Sequence, residues 1–497
     1  MRLLSLPIHF HASTQRLLAC YAVVCFLAIN LTLAKTPTVI TYPPPAGVTA
    51  ANDFRVWVND QEIFLYNTVP AAVGQFSFDG EVTVRVSAIQ DVKWVDFRPK
   101  SQGISYQLKD NQITFKLSKP SPLSIEFHNE SKRVIHLFAN PLEGPKPKPD
   151  DPHVTYFKAG KVYEAGVINL KEGDHLYIEG GAVVKGAVEA AHTKNIKISG
   201  RGILDGTDLK KGTRMILLDR IDGASLEGIV LLNSHTWTVE PLFCQHLSID
   251  NLKIVNWQTG SDGIDLVGTS HVKIKNCFVR ANDDCIVVKT WNGADKYAQQ
   301  TGVGPDVEDI DVTHSVFWNM PWGNALEIGF ELRAKSVRNI TFSDCDIIHV
   351  ERGAAMSIHN GDFATVSDIR FEDIRVEDAR HKLIDLAVFY SQYSVDRPSD
   401  EETRRKAYKQ GAWDGVLWVQ PGEEAKHATH RGSIKNIIFK NIQIVEGPAP
   451  FSLISGYDDQ HAVENVTIDN LTVYGMKVKT TQQGKLYTER AKAITIK

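Results

Sequence analysis

Three aspartates in two short clusters carry the strongest chemical signal in the sequence. The first cluster is SDGID at residues 261–265, and the second is NDDC at residues 282–285. Asp262 and Asp283 are 21 positions apart, which is about one short coil of a stacked β structure with strands ~4.8 Å apart. We therefore expect Asp262, Asp283 and Asp284 to converge on one face of the fold.

Clustered carboxylates of this kind suit acid–base chemistry. Like charges at close range raise at least one pKa, and a pair with one protonated and one ionised carboxyl group is what glycoside hydrolysis requires. Two other interpretations stay open. Asp-Gly and Asn-Asp-Asp also form turns, and carboxylates alone can bind Ca²⁺, although neither His nor Cys lies at a ligand spacing beside them.

Composition narrows the class of protein. The chain has 497 residues, of which 43% are hydrophobic and 23% are charged, with a formal net charge of −4. These values exclude a wholly disordered chain, a collagen-like chain and a polytopic membrane protein. Because no excess of basic residues is present, nucleic acid is not an expected partner.

The first 34 residues read as a secretory signal peptide. Arg2 and Arg16 precede an apolar run at residues 17–33, and Ala34 offers a small residue for cleavage. A membrane anchor is disfavoured because the run is short for a span of ~20 residues. We therefore expect a secreted or periplasmic protein without stable membrane association. The cysteines that remain after cleavage are Cys244, Cys277, Cys285 and Cys345, whose pairing the sequence does not reveal.

Two domains are expected after the signal peptide. Residues 35–140 contain short stretches of alternating polarity separated by Gly, Pro, Asn and Asp, a pattern that predicts an antiparallel β-sandwich. Residues 141–152 contain five prolines besides charged residues, as expected of an extended linker. The second domain is predicted at residues 153–497.

The second domain is repetitive. A short motif with an Asn, Asp or His before an apolar residue recurs, and its leading apolar positions are Leu247, Val272, Ile310, Ile340, Ile369, Ile437 and Val466. Spacings of ~20–40 residues with abundant β-branched residues predict a parallel β-helix, whose coils bury their apolar faces by stacking. The gap of 68 residues between Ile369 and Ile437 is interpreted as about two coils plus an insertion at residues 390–431.

The aspartate motifs resemble glycoside hydrolase family 28, the polygalacturonase family. That family shows N-T-D-G-I-D and G-D-D-C-I, which residues 261–265 and 282–286 resemble. Residues 323–329 and 353–359 fall where the family has G-H-G-L-S-I-G and a segment ending R-I-K. The resemblance implies an all-β protein in which an N-terminal β-sandwich precedes a right-handed parallel β-helix, the pectin-lyase-like solenoid.

Three positions depart from that family. Asn324 replaces its histidine, and Ser357 and His359 replace the arginine and lysine that hold the substrate carboxylate. Without that cationic pair, galacturonate loses its charge-assisted hydrogen bonds. The dextranase and isopullulanase family, family 49, is also similar, because it joins a β-sandwich to a β-helix, carries N-D-D and lacks both the histidine and R-I-K. Ordinary polygalacturonase activity is therefore not expected.

Both families invert the anomeric carbon, so the resemblance assigns roles to the aspartates. Asp283 would be the general acid, and Asp262 and Asp284 would activate water. An inverting acid and base are expected ~6.5–9.5 Å apart. We expect the two ionised neighbours to raise the pKa of Asp283 and keep it protonated near neutral pH.

Further residues are predicted to line the same cleft. Asp265, Lys289, Asn324, Glu327 and His359 are candidates for substrate binding, and each could instead serve the structure alone. Four tryptophans could stack on sugar rings or be buried as ordinary core residues; they are Trp237, Trp291, Trp318 and Trp322.

The sequence thus predicts a secreted glycoside hydrolase that cleaves α-linked bonds of a polysaccharide or oligosaccharide by inversion, without a metal or cofactor. A polysaccharide lyase on the same fold is one alternative, and a non-catalytic carbohydrate-binding β-helix is another. The sugar, the linkage, endo or exo action and the oligomeric state are not determined by the sequence.

Overall fold

The computed structural model describes residues 37–128, 130–291, 293, 300–407 and 415–497. The predicted signal peptide, with Cys20 and Cys25, lies outside the described residues. Nearly all regular structure is β, which confirms the predicted fold class.

The N-terminal part is a sandwich of two sheets. Its strands in chain order are β1 (Thr38–Thr41), β2 (Phe54–Val58), β3 (Gln61–Ile63), β4 (Leu65–Asn67), β5 (Ala72–Asp79), β6 (Val82–Ala88), β7 (Val95–Arg98), β8 (Tyr106–Lys109), β9 (Gln112–Leu117), β10 (Ser121–Phe127) and β11 (Val134–Pro141). One sheet has the order β1-β5-β11-β10-β7 with β4 beside β5, and the other has the order β3-β2-β6-β9-β8. Alternating residues such as Val56, Val84 and Leu137 fill the space between the sheets, as period-two patterning requires.

The rest of the chain winds into a parallel β-helix. Its strands are β12 (Val154–Phe157), β13 (Val162–Asn169), β14 (His175–Ile178), β15 (Val183–Ala191), β16 (Lys194–Gly200), β17 (Ile203–Asp205), β18 (Ile216–Asp219), β19 (Asp222–Glu227), β20 (Val230–Leu232), β21 (Val239–Leu242), β22 (Gln245–Asp250), β23 (Lys253–Val255), β24 (Ile264–Val267), β25 (Ser270–Lys275), β26 (Phe278–Ala281), β27 (Ile286–Lys289), β28 (Val307–Thr313), β29 (Val316–Asn319), β30 (Leu326–Phe330), β31 (Ser336–Ser343), β32 (Asp346–Val350), β33 (Ala354–Asn360), β34 (Thr365–Glu372), β35 (Arg375–Val376), β36 (Lys382–Val388), β37 (Ser433–Lys440), β38 (Gln443–Ile444), β39 (Phe451–Ser455), β40 (Val463–Asp469), β41 (Thr472–Val473), β42 (Met476–Lys477), β43 (Leu486–Glu489) and β44 (Ala491–Ile496).

These strands stack in three ladders. The first ladder runs β12-β14-β16-β19-β22-β25-β28-β31-β34-β37-β40-β44. The second runs β17-β20-β23-β26-β29-β32-β35-β38-β41, and the third runs β18-β21-β24-β27-β30-β33-β36-β39-β43. The second and third ladders branch from the long strand β15, which pairs with both β17 and β18. Inward-facing Val, Ile and Leu side chains from all three ladders form one continuous core.

The repeated apolar positions stack on each other as predicted. Leu247 pairs with Val272, and the series continues through the first ladder to Val466. Ile369 pairs directly with Ile437, so the 68-residue gap is a single coil with an insertion. The expectation of two coils was wrong because residues 390–431 take up so much of the gap that only about the length of one coil remains.

Polar residues in left-handed backbone conformation end the strands of the first ladder. Their φ angles lie between 48° and 60°; the residues are Asn251, Asn276, His314, Asp344, Asp373, Asn441 and Asn470. Asn and Asp tolerate this conformation better than most residues. Their side chains also bridge coils, since Asn441 Nδ2 donates to Asp373 Oδ1 and Asn470 Nδ2 donates to Asn441 Oδ1, both at 2.8 Å.

The insertion at residues 390–431 folds back over the third ladder. It contains helix α1 (Glu401–Lys406) and helix α2 (Glu424–Ala428). Arg431 fastens its base, because Nη1 donates to the carbonyl of Phe389 at 2.6 Å and Nη2 contacts Asp396. His427 Nδ1 lies 2.7 Å from the same carboxylate. The insertion is thus a packed part of the wall beside the third ladder.

The sandwich packs against the second ladder. Val73 and Phe138 of the sandwich share an apolar cluster with Phe278 and Trp318 of the β-helix. Buried ion pairs join the two parts as well, including Arg98 Nη1 with Glu377 Oε2 at 2.7 Å. The contact is therefore both apolar and charged.

The four described cysteines are free and buried. Burial raises the pKa of Cys244, Cys277 and Cys345 to about 12 and that of Cys285 well above its usual range. Among the residues that the structure describes, no helix is long and apolar enough to cross a membrane.

Candidate active site

The three aspartates lie at the start of neighbouring strands of the third ladder. Ile264 of β24 pairs with Ile286 of β27, so Asp262 and Asp284 occupy equivalent corner positions one coil apart. One carboxylate oxygen from each of Asp262, Asp283 and Asp284 lies within 4.8 Å of those of the other two. The predicted convergence on one face is therefore present.

The separation of these oxygens is shorter than expected for an acid and a base that flank water. The expected distance was ~6.5–9.5 Å, whereas the nearest oxygens lie within 4.8 Å. Stacking one coil directly above the next brings Asp262 and Asp284 to a single strand spacing. Asp283 lies close to both because it directly precedes Asp284 in the same turn.

Backbone contacts fix this corner. Asn319 Nδ2 donates to the carbonyls of Asp283 and Trp322, each at 2.7 Å. The backbone N–H of Asn324 donates to Asp284 Oδ1 at 2.6 Å. Gly323 has a φ of 64°, and a Cβ there would lie 2.5 Å from Asp283 Oδ1. The turn before β30 therefore needs glycine, and it holds both aspartates of the second cluster.

The carboxyl groups have raised pKa values. Burial, followed by the charges of Asp265 and Asp283, raises the pKa of Asp262 well above its usual range. Burial, followed by Asp283 and Glu327, does the same to the pKa of Asp284. Burial raises the pKa of Asp283 to about 6, and the charge of Lys289 opposes that rise. Repulsion by ionised neighbours is thus secondary to burial at Asp262 and Asp284, and burial alone raises the pKa of Asp283, where such repulsion was expected.

Lys289 lies at the centre of the site, with Nζ 3.2 Å from Asp265 Oδ1 and 3.8 Å from Asp262 Oδ2. The same nitrogen lies 3.8 Å from the centroid of the Trp237 ring. Asp262 and Asp265 raise the pKa of Lys289 against the effect of burial. Lys289 lines the cleft, whereas Asp265 is completely buried and contacts Lys289 from behind; substrate binding by these two residues stays a prediction.

Glu327 and His359 form a buried network outside the cleft lining. His359 Nδ1 lies 3.0 Å from Glu327 Oε2, and Nε2 lies 3.0 Å from Asp385 Oδ2. Ser357 Oγ also donates to Glu327. Burial alone would lower the pKa of His359, but Glu327 and Asp385 outweigh it and raise that pKa to about 10. Neighbouring side chains thus bind the polar atoms of Glu327 and His359, and their role in substrate binding stays a prediction.

Asn324 also supports the site from behind. Its side chain is completely buried. Nδ2 donates to Asp284 Oδ1 at 3.3 Å, and Oδ1 accepts from the backbone N–H of Ala354 at 2.9 Å. These contacts support Asp284, and the predicted role of Asn324 in substrate binding stays a prediction.

The aspartates open into a cleft of about 370 Å³. Its aromatic lining consists of Trp237, Trp322, Phe330 and Tyr393. Phe330 stacks on the buried His359 ring, with centroids 4.9 Å apart and planes 8° apart. The insertion contributes Gln392, Tyr393 and Gly415 to the wall. Flat aromatic faces beside polar groups suit sugar rings.

The predicted tryptophans divide into two groups. Trp237 and Trp322 line the cleft. Trp318 is buried beneath the sandwich, and Trp291 packs against Arg333, whose guanidinium carbon lies 3.6 Å from the ring centroid. The sequence alone does not identify Phe330, Tyr393 or Asn319 as parts of the site. Of these three, only Asn319 carries a signal, because its position at a coil corner is compatible with a supporting role.

The same geometry could hold a cation. Carboxylate oxygens within 4.8 Å of each other are suitable ligands for Ca²⁺, but such a site takes six to eight oxygens. A second group, His271, Glu308 and Asp309, lies on the surface. Its carboxylates are already engaged, since Glu308 pairs with Arg338 and Asp309 accepts from Asn339.

Comparisons with known proteins agree with this architecture. An exopolygalacturonase from Zea mays is 23% identical over 218 residues, which cover 40% of this chain and 49% of the relative. An exopolygalacturonase from Oenothera organensis is 24% identical over 276 residues, covering 54% of this chain and 68% of that one. This chain therefore spans about half the length of the Zea mays relative.

The structure of Dex49A from Penicillium minioluteum superposes with a TM-score of 0.66 at 16% identity, covering 92% of this chain and 96% of that one. The likeness in fold thus includes the sandwich as well as the solenoid. The family model described as glycosyl hydrolases family 28 matches residues 156–403. Those residues include all three clustered aspartates, and the chain is accordingly a glycoside hydrolase of the family 28 type, built on a right-handed parallel β-helix.

Proposed function

We propose that this protein hydrolyses α-linked bonds of a neutral polysaccharide or oligosaccharide with inversion at the anomeric carbon. One observation carries the proposal: three carboxylates meet at an aromatic-lined cleft whose single described lysine is already paired with aspartates. Paired carboxyl groups with separated protonation states are the equipment for glycosidic bond cleavage.

Asp283 is suited to be the general acid. It is the most exposed of the three aspartates, it lines the cleft, and burial raises its pKa to about 6. A carboxyl group with such a pKa retains a proton in mildly acidic solution and can transfer it to a leaving oxygen.

Asp262 and Asp284 are suited to hold the attacking water. Both are buried, and Asp262 Oδ1 has no hydrogen-bond partner among the described residues. One oxygen from each of Asp262, Asp283 and Asp284 lies within 4.8 Å of the other two. A water at the centre of a triangle with sides of that length would lie about 2.8 Å from all three oxygens, an ordinary hydrogen-bond length. The short separation therefore permits a bound water, and inversion follows from the family resemblance.

The charge of the cleft argues for a neutral substrate. Asp262, Asp283, Asp284 and Glu331 line it together with Lys289. A uronate would have to be desolvated beside these carboxylates, and an unpaired buried carboxylate costs several kcal/mol. His359 does not substitute for a free cation, because Glu327 and Asp385 enclose it. The exopolygalacturonase relatives make galacturonan the competing substrate.

Secretion is part of the proposal. It is supported by the signal-peptide pattern at residues 1–34, where basic residues precede an apolar run. Amino-terminal sequencing of exported protein tests it, with cleavage expected near Ala34.

The decisive experiment is a screen of purified protein against dextran, pullulan, galacturonan and rhamnogalacturonan, measured by the release of reducing ends. We expect release from a neutral α-glucan and little from galacturonan, with Asp283→Asn as the inactive control. Strong release of galacturonate would refute the neutral-substrate assignment. An unsaturated uronate detected by ultraviolet absorbance would identify a lyase, and binding without any new reducing ends would identify a carbohydrate-binding protein.

A further inference from the structure

Three side chains in one row of the second ladder connect the sandwich to the catalytic corner. Arg280, Trp318 and His349 occupy paired positions on β26, β29 and β32. The guanidinium carbon of Arg280 lies 3.7 Å from the centroid of the Trp318 ring. The ring of His349 lies 4.1 Å from it on the other side. All three are buried, so Trp318 is held between two cation-forming side chains.

The sandwich binds both ends of this row. Arg280 Nη2 donates to the carbonyl of Ser131 at 2.7 Å, and its Nη1 lies 3.0 Å from Nε2 of His136. Glu126 Oε1 lies 2.9 Å from His349 Nε2. The row therefore depends on strands β10 and β11 and on the turn between them.

The row leads directly to the aspartates. Asn319 follows Trp318 in β29, and its Nδ2 donates to the carbonyls of Asp283 and Trp322 at 2.7 Å. Both of those residues line the cleft. Any shift of β29 would thus disturb the hydrogen bonds to the carbonyl of Asp283 and to that of Trp322 in the turn of the next coil.

A second connection reaches the residue before Asp283. Lys132 Nζ of the sandwich lies 4.7 Å from the centroid of the Trp257 ring. The carbonyl of Trp257 accepts from Asn282 Nδ2 at 2.6 Å. The same turn of the sandwich therefore contacts the catalytic corner by two separate routes.

We propose that the β-sandwich is a structural part of the catalytic site, and that it fixes the position of Asp283 through Trp318–Asn319 and through Trp257–Asn282. Asn319, Lys132 and Glu126 are then positioning residues. This inference deepens the proposed function, but it predicts a local stiffness that can be measured whether or not a substrate is known. Displacements of about 1 Å at a catalytic group can reduce turnover ~10²-fold.

The test uses the full chain with Lys132→Met and Glu126→Gln. The first removes an exposed cation and keeps an apolar side chain, so folding is not at risk. The matched control is Thr68→Val, which breaks a different sandwich contact, the 2.9 Å hydrogen bond from Thr68 Oγ1 to Asn233 Oδ1. Hydrogen–deuterium exchange of peptides that cover residues 282–285 and 319–324 is the primary measurement.

We expect both variants to accelerate amide exchange in these two segments about tenfold or more, as local opening becomes easier, and we expect the Thr68→Val control not to do so. Unchanged exchange there, with faster exchange only at residues 130–136, would overturn the inference. Inactivity of the wild-type protein on every glycan would refute the proposed function. The exchange measurement would still test the inference, because it needs no substrate.

Turnover supplies a second readout that general loosening would not imitate. In Lys132→Met, kcat on the glycan found by the screen should fall about tenfold with KM nearly unchanged. An aryl glycoside with a good leaving group should lose less, because it needs less help from the acid. Equal losses on both substrates would show that Asp283 is not the group displaced.

Discussion

Replacing Lys289 by methionine should separate the charge of this residue from its packing. In the wild-type protein Nζ lies 3.2 Å from Asp265 Oδ1 and 3.8 Å from Asp262 Oδ2. At an effective dielectric constant of about 20, these distances correspond to attractions of about 5 and 4 kcal/mol. Methionine fills a similar volume without the charge, so both buried carboxylates lose their cation.

Two consequences follow for Lys289→Met. Breaking a buried ion pair costs about 3–5 kcal/mol of unfolding free energy, which urea unfolding would measure. The pKa of Asp262, already raised by burial and by Asp265 and Asp283 against the opposing charge of Lys289, should rise further. The proposed base would then stay protonated at higher pH, which should lower kcat about 10²-fold or more and move the acidic limb of the pH–rate profile to higher pH.

The double variant Asp265→Asn with Lys289→Met makes the test specific. It removes one of the two stranded carboxylates, so part of the lost stability should return, while turnover should not. Lys289→Arg, which keeps the charge, should preserve the acidic limb. A Lys289→Met enzyme with the wild-type pH profile would refute the role of the lysine in setting the protonation of Asp262, and recovery of turnover in the double variant would show that Lys289 serves stability alone.

Further outcomes are expected. Asp283→Asn should fold normally and lose about 10²–10⁴ in rate on the glycan but less on an activated aryl glycoside; equal activity on the glycan would remove it from the acid role. Proton NMR of the first-formed product should show the inverted anomer, and a retained anomer would make one aspartate a nucleophile. The pKa of His359 is raised from 6.5 to about 10, so its contribution to stability is complete below about pH 6.5 and lost as pH rises through about 10. The thermal midpoint should therefore decrease as the pH rises from about 6.5 to about 10, and this decrease should be smaller in His359→Gln.

The repeat pattern predicted the solenoid well because each coil repeats the same local requirement. Leu247, Val272 and Ile310 face the same core and stack in register, so their spacing is visible in the chain. The number of coils in the 68-residue gap was less visible, since residues 390–431 have no repeat of their own. Their place in the cleft wall follows from anchors distant in sequence, such as Asp362 Oδ1, which accepts from the backbone N–H of Val395 at 2.6 Å.

For the site, the aspartates could be predicted and most of their supporting residues could not. Asp262 and Asp284 are one coil apart, so spacing alone brings them together. Glu327 and His359 are also brought near the site, but whether a polar residue meets a sugar or a neighbouring side chain depends on what covers the outer face of its strand. Phe330 covers the ring of His359, and no local pattern announces that contact.

The free, buried thiols have a practical consequence. A thiol reacts with oxidants and with disulfides mainly as the thiolate. Burial keeps the thiolate form scarce at the four described cysteines by raising their pKa values; these residues are Cys244, Cys277, Cys285 and Cys345. The described fold therefore requires neither a thiol oxidase nor a disulfide isomerase to mature. A leaderless version made in a reducing cytoplasm should reach the same native state as exported protein, and reductant in the buffer should leave its melting curve unchanged.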